Sequence, residues 1–247
     1  MKIFFIFFLI IFMFQSFSFS QEWKIKNKWK ISCGLVNKEA LVVNGKAKKS
    51  YSKNEFKVEN VIFKLDKGDI GKCKSDKKPA GGYKYSGRQE ITHKLLPGKN
   101  VFEAEILTSG APQYRSHFFQ IHDGRSKGKP PSMVSVNKDW MVKNQHSIDC
   151  FQPKCKQLSY GAYLKPYERK NFRADVEYNK KEKKISARYY LDGELIIQHL
   201  DVPLATKKTD GPYGFNKPYI KIGIYRIGDT GTTTFSYSNI VLKNKKL

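Results

Sequence analysis

The sequence predicts an all-β fold, a single antiparallel sandwich with one sheet facing solvent. Three observations lead there. First, several segments carry apolar residues at every second position: Phe102, Ala104 and Ile106 alternate with Glu103 and Glu105, and Phe172, Ala174, Val176 and Tyr178 with Arg173, Asp175 and Glu177. A period of two is the signature of a half-buried strand. Second, Gly, Pro and Asp clusters punctuate these segments, the clearest being Asp192-Gly193, which suits a two-residue hairpin turn. Third, helical periodicity is scarce, and neither an internal repeat nor a linker interrupts the chain. At 247 residues the chain fits within the roughly 250 that one sandwich can reach, and it is long enough to bury a sizeable core.

Taken in order, Lys2 precedes an apolar run from Ile3 to Phe14, and Ser18-Phe19-Ser20 stands just before Gln21. This reads as a secretory signal peptide over 1–20, with one domain over 21–247 and the periplasm or the medium as destination. The apolar run is short for a membrane span, and no later stretch is long and apolar enough to cross a bilayer. Strands are then expected at Ala40–Val43 and Glu55–Leu65, followed by a Gly-, Lys- and Asp-rich loop over Lys67–Gly82. Arg88–Leu95 and Val101–Leu107 flank the turn signal Pro97-Gly98. Ser116–His122 is a strand, Asp123–Pro131 a basic loop, and Met133–Val136 a strand again. Asn137–Gln157 is long and polar and reads as a loop flanking a cleft. Phe172–Tyr178, the hairpin Ile185–Leu191 and Glu194–Leu200, Pro218–Arg226 and Thr232–Leu242 complete the set.

The formal charge is +24, and removal of a leader carrying only Lys2 leaves +23. An exported protein this basic suits an acidic partner, although lysines spread along the whole chain also decorate turns. No nucleic-acid-binding motif accompanies the charge. Of the cysteines Cys33, Cys73, Cys150 and Cys155, export makes disulfides the expectation. Cys33–Cys73 and Cys150–Cys155 is the favoured pairing of the three arrangements that four cysteines allow. No histidine accompanies them at a zinc-finger spacing, no acidic loop matches a calcium signature, and no metal ligands are assigned.

Two strands carry the candidate chemistry. In Ser116–His122, strict alternation puts Ser116, Phe118, Gln120 and His122 on one face and His117, Phe119 and Ile121 on the other. An amide and an imidazole then stand two residues apart, with Arg115 and Arg125 near the strand's ends as subsite charges, and His117 is structural. In Pro218–Arg226, Ile220, Ile222 and Ile224 face the core while Tyr219, Lys221, Gly223 and Tyr225 face a cleft. Gly223 leaves room for a ligand to pass.

These strands resemble the jelly-roll polysaccharide lyases, in whose alginate lyase family three motifs recur: Arg-x-Glu-Leu-Arg, Gln-Ile-His and Tyr-Phe-Lys-Ala-Gly-x-Tyr. Gln120-Ile121-His122 matches the second in full, and Tyr219-Ile220-Lys221-Ile222-Gly223-Ile224-Tyr225 matches the third at both tyrosines, the lysine and the glycine. Arg88-Gln89-Glu90-Ile91-Thr92 resembles the first, with Thr92 where the second arginine belongs. The ending Gly223-Ile224-Tyr225-Arg226 is also similar to glucuronan lyases and the heparin-lyase-like group. The resemblance covers roughly Arg88 to Leu242. It implies a concanavalin A-like jelly roll with a concave groove, a monomer, and β-elimination on an anionic uronic-acid polysaccharide such as alginate or glucuronan, with no cofactor beyond a structural calcium known in some relatives. It assigns Gln120 and Arg88 to neutralise the sugar carboxylate. By the same resemblance His122 and Tyr225 would exchange protons as base and acid. Glu90, Arg115, Arg125, Tyr219, Lys221 and Arg226 serve as substrate contacts, with Glu90 orienting Arg88. The competing readings are a non-catalytic acidic-glycan-binding module, a heparin-type glycosaminoglycan lyase, and a glycoside hydrolase. The last needs two flanking carboxyl groups; no closely spaced carboxylate pair is expected on a strand facing a cleft, although Glu103 and Glu105 share a face.

Overall fold

A computed structural model describes residues 22–32, 41–48, 54–71, 86–110, 115–123, 130–146, 154–204, 217–227 and 231–247. The expected leader, Arg125, Cys33, Cys73 and Cys150 lie outside these residues. Cys155 is disulfide-bonded, and the expected pairing likewise involves residues outside the described set.

Seventeen strands are described. They are β1 (Lys24–Ile25), β2 (Lys28–Ile31), β3 (Leu41–Val43), β4 (Lys46–Lys48), β5 (Phe56–Lys57), β6 (Val61–Leu65), β7 (Ser86–Lys94), β8 (Gly98–Gly110) and β9 (Arg115–His122). After these come β10 (Ser132–Asn137), β11 (Val142–His146), β12 (Cys155–Gln157), β13 (Arg169–Asn179), β14 (Lys184–Leu191), β15 (Glu194–Pro203), β16 (Tyr219–Ile227) and β17 (Thr233–Lys245). They form two antiparallel sheets. The larger runs β12-β15-β14-β13-β8-β17-β6-β3-β4, with β1 on β17; the smaller runs β11-β10-β9-β16-β7-β2-β5. No helix among the described residues is long and apolar enough to cross a membrane.

The alternating segments became strands as their period dictates, and the β14–β15 hairpin turns through Asp192 (φ 49) and Gly193 (φ 85). Both residues take the positive φ that a two-residue turn of this kind requires. Two expectations needed correction. Glu55–Leu65 is not one strand but two, because the Asn44 side chain accepts from the amides of Glu59 and Asn60 and donates to the Lys57 carbonyl, drawing the chain out of line. The expected loop over Asn137–Gln157 contains β11 and β12. Asn137 Oδ1 accepts from the amides of Asp139 and Met141. That side-chain turn returns the chain to pair with β10 in register from Ser132–His146 to Val136–Val142.

Between the sheets lies an aromatic layer. Phe118 packs on Phe172 and Phe235, and Phe119 on Phe102, Phe172 and Tyr189. Each fully buried ring of this size contributes about 1.5–3 kcal/mol. Near the β11 and β12 edges a polar chain ties the sheets together. Ser132 Oγ meets the Tyr189 hydroxyl and His199 Nδ1 (2.6 Å), and His199 Nε2 meets Asn144 Oδ1 (2.5 Å).

Candidate active site

The face of the smaller sheet turned away from the aromatic layer is a ladder of polar side chains on three adjacent strands. β16 is the middle rail, with β7 on one side and β9 on the other. Register fixes four levels. Tyr219 lies between Lys94 and His122; Lys221 lies between Thr92 and Gln120; Gly223 lies beside Glu90; and Tyr225 lies between Arg88 and His117.

The second and third levels are knit around one carboxylate. Glu90 is 1% exposed. Its Oε2 receives Lys221 Nζ at 3.1 Å and Arg88 Nη1 at 3.3 Å, and its Oε1 receives Gln120 Nε2 at 2.5 Å. Burial pushes the Glu90 carboxyl up, but Lys221 and Arg88 outweigh it and hold the group below the usual carboxylate range. Two cations around one anion leave the cluster with an excess positive charge in a medium of low polarity, where charge acts strongly. Gln120 passes the network on, its Oε1 lying 3.3 Å from His122 Nε2.

At each end stands a tyrosine–histidine stack. His122 lies on Tyr219, with ring centroids 4.8 Å apart and an interplanar angle of 1°. Tyr225 lies on His117 at 5.4 Å and 23°, and the Arg88 guanidinium sits 3.8 Å from the Tyr225 ring centroid. Each stack has one covered member and one that meets water. Tyr219 is 4% exposed and His117 3%, whereas His122 and Tyr225 are half-buried. The accessible imidazole and the accessible phenol thus flank the Gly223 level from opposite sides.

Strict alternation in β9 fails at one point. Val134 pairs with Phe119 and Ser135 with His117, leaving Phe118 as an extra residue relative to β10. On the other side, Ile222 pairs with Phe119 and Tyr225 with His117, so that Gly223 and Ile224 of β16 face the single Phe118. This is a β-bulge. It sends Phe118 and Phe119 both into the core and brings His117 to the face of Gln120 and His122. The expected grouping of Phe118 with Gln120 is therefore corrected, and His117 is the site-face residue that alternation missed. The signal was present in two consecutive large aromatics in one strand, which no period of two can bury together.

Other expected residues take different places. Arg226 is not a substrate contact: it is 0% exposed on the core side and donates to the carbonyls of Leu65, Asp66 and Gly231 and to Thr233 Oγ1. Glu90, expected among the substrate contacts, is occupied by its own neighbours and orients Arg88, Lys221 and Gln120. Tyr219 is the platform beneath His122, and the Lys221 ammonium is held on Glu90. Arg115 opens β9, half-buried. Gly223 answers to the backbone: at φ 143, a Cβ there would lie 2.2 Å from the Gln89 carbonyl oxygen and 2.7 Å from Glu90 Cα. Glu103 and Glu105 lie on the other sheet, joined to Lys243 (2.8 Å) and Arg169 (3.2 Å). Among the described residues no group of three or more His, Cys, Asp or Glu is placed to hold a metal ion.

No family model matches the chain, and no curated protein does. Solved structures do. Alginate lyase A1-II', a member of polysaccharide lyase family-7, superposes with a TM-score of 0.50 at 15% identity, covering 90% of this chain and 96% of that one. The marine family-7 alginate lyase AlyA1 from Zobellia galactanivorans gives 0.49 at 14% identity, covering 89% and 96%. The cellulose induced protein Cip1 gives 0.47 at 16%, covering 89% and 93%. The likeness to A1-II' over nearly the whole of both chains shows a shared jelly-roll sandwich.

Proposed function

We propose that the protein is an exported polysaccharide lyase that cleaves a uronic-acid polysaccharide, with alginate the first substrate to test. The observation that carries this reading is the pair of accessible groups, His122 and Tyr225, on either side of a level without a side chain, with a positively charged cluster between them. A neighbour on the same fold is an alginate lyase, which supports the choice of substrate.

In this reading a uronate ring sits over Gly223. Its carboxylate meets Arg88 and Gln120, the donors around Glu90, which stabilise the charge that grows at C5 as its proton leaves. One of His122 and Tyr225 takes the C5 proton. The electron pair left behind forms the C4=C5 double bond, the C4–oxygen bond breaks, and the other group protonates the departing oxygen. Atoms and charge balance without a cofactor. Glu90 keeps Arg88, Lys221 and Gln120 at fixed positions, so no reorganisation is needed as charge develops.

The test follows the product's ultraviolet absorbance during incubation of the mature protein with alginate, glucuronan and heparin. The expected result is a rise on at least one polyuronate, lost in His122→Ala and Tyr225→Phe by roughly 10²-fold or more. A folded protein silent on all three substrates overturns the reading. Binding without turnover would make it a glycan-binding module.

A further inference from the structure

We propose that His117 is a positioning residue for the Tyr225 phenol, packing against the ring from the β9 side while Arg88 holds it from the β7 side. This rests on the lyase reading for its kinetic consequence but not for its geometry.

The register makes His117 and Arg88 the direct cross-strand neighbours of Tyr225 on its two flanks. Direct neighbours in a sheet are close enough for ring contact. The imidazole lies at 5.4 Å and 23° from the phenol ring, and the guanidinium carbon at 3.8 Å. A ring held from both flanks loses the freedom to swing, and its hydroxyl is presented at one place on the polar face of the sheet. The bulge at Phe118 exists at this level and delivers His117 to it; without the extra residue, position 117 would point into the core.

His117 is suited to packing and not to proton exchange. It is 3% exposed, and its Nδ1 is buried with no hydrogen-bond partner among the described residues. Burial, with Arg115 and Arg88 nearby, lowers its pKa to about 3. It therefore stays a neutral aromatic disc near neutral pH. An imidazolium there would repel Arg88, whereas the neutral ring does not.

The experiment compares His117→Ala, His117→Phe and His117→Leu in the mature chain by alginate turnover and by NMR of ring-labelled tyrosine, with the Tyr225 signals assigned through Tyr225→Phe. His117→Phe keeps a flat ring and is expected to hold kcat within about threefold, with an unchanged pH–rate profile. His117→Ala is expected to lower kcat about tenfold at nearly constant KM, as loss of one aromatic contact implies, and to shift the Tyr225 ring signals. His117→Leu fills the space without a ring and should resemble alanine in the spectrum; it serves if alanine fails to fold. Equal kcat and unmoved Tyr225 signals in alanine or leucine overturn the proposal, as does a phenylalanine variant as slow as alanine or with one limb of its pH profile gone. If the wild type turns over no polyuronate, the lyase reading falls, and the ring signals alone decide the role of His117.

Discussion

The two tyrosine–histidine stacks stand on the same pair of strands and are inverted with respect to water. At the Tyr219 level the phenol is the covered platform and the imidazole is presented. At the Tyr225 level the imidazole is the platform and the phenol is presented. The inversion follows from backbone, not from composition, since both stacks use one tyrosine and one histidine. β9 and β16 run in simple register at the first stack and meet it only after a bulge at the second. The lesson is that residue type does not fix a role in this sheet; the depth at which a strand delivers the side chain does.

The comparison breaks first at what the stacks share. Glu90→Ala strips the carboxylate from between Arg88 and Lys221 and leaves two buried cations facing one another. The expected loss of stability is about 3–5 kcal/mol, read from the urea midpoint at neutral pH, and the half-buried His122 and Tyr225 should lose their positions with it. By contrast Arg173 and Asp175, a bidentate pair on the other sheet with side chains 49% and 28% exposed, bear the same charges in water, where such pairs contribute at most about 1 kcal/mol.

Acid sets His117 apart from an ordinary histidine. His117 has a folded pKa of about 3 against 6.5 for an ordinary histidine. Between those values only the unfolded chain takes up the proton. Its contribution is therefore complete above 6.5 and is lost as pH falls from 6.5 toward 3, with an upper bound on the order of 5 kcal/mol. Glu90, whose folded value lies below the ordinary 4.5, adds a loss only at lower pH, as the solution passes through that depressed value. Denaturation midpoints from pH 7 to 4 should fall steadily in the wild type and far less in His117→Phe down to about pH 5. Equal slopes in the two proteins would show that His117 is protonated in the folded state.

The smallest effect separates the platforms. Tyr219→Phe keeps the ring beneath His122 and should leave turnover within about twofold, whereas Tyr219→Leu removes an aromatic contact of about 1 kcal/mol and should slow turnover several-fold. Turnover as low in Tyr219→Phe as in Tyr225→Phe would show that the Tyr219 hydroxyl takes part in the reaction, and the assignment of platform and presented group would be exchanged.

Much of the sandwich was legible because each strand's own pattern carries it. Phe102–Ile106, Phe172–Tyr178 and the Asp192-Gly193 hairpin needed no knowledge of their neighbours. The strands bearing Gln120, His122 and Tyr225 were legible for the same reason. The rest depended on residues far away in the chain. Arg226 looked like a surface cation, yet its partners are carbonyls at 65, 66 and 231, which no local pattern joins to it. Glu90 looked like a contact residue until two cations and an amide from three strands closed around it. His117 was misplaced by one residue of bulge, enough to exchange its face.

The glycine at 223 has a practical consequence for anyone wishing to reshape the polar face of the sheet. A side chain added there would collide with the main chain of β7 at Gln89 and Glu90, so substitution would pry two strands apart. Lys94, exposed beside Tyr219 on the same face, is by contrast a position where a new side chain has water to displace.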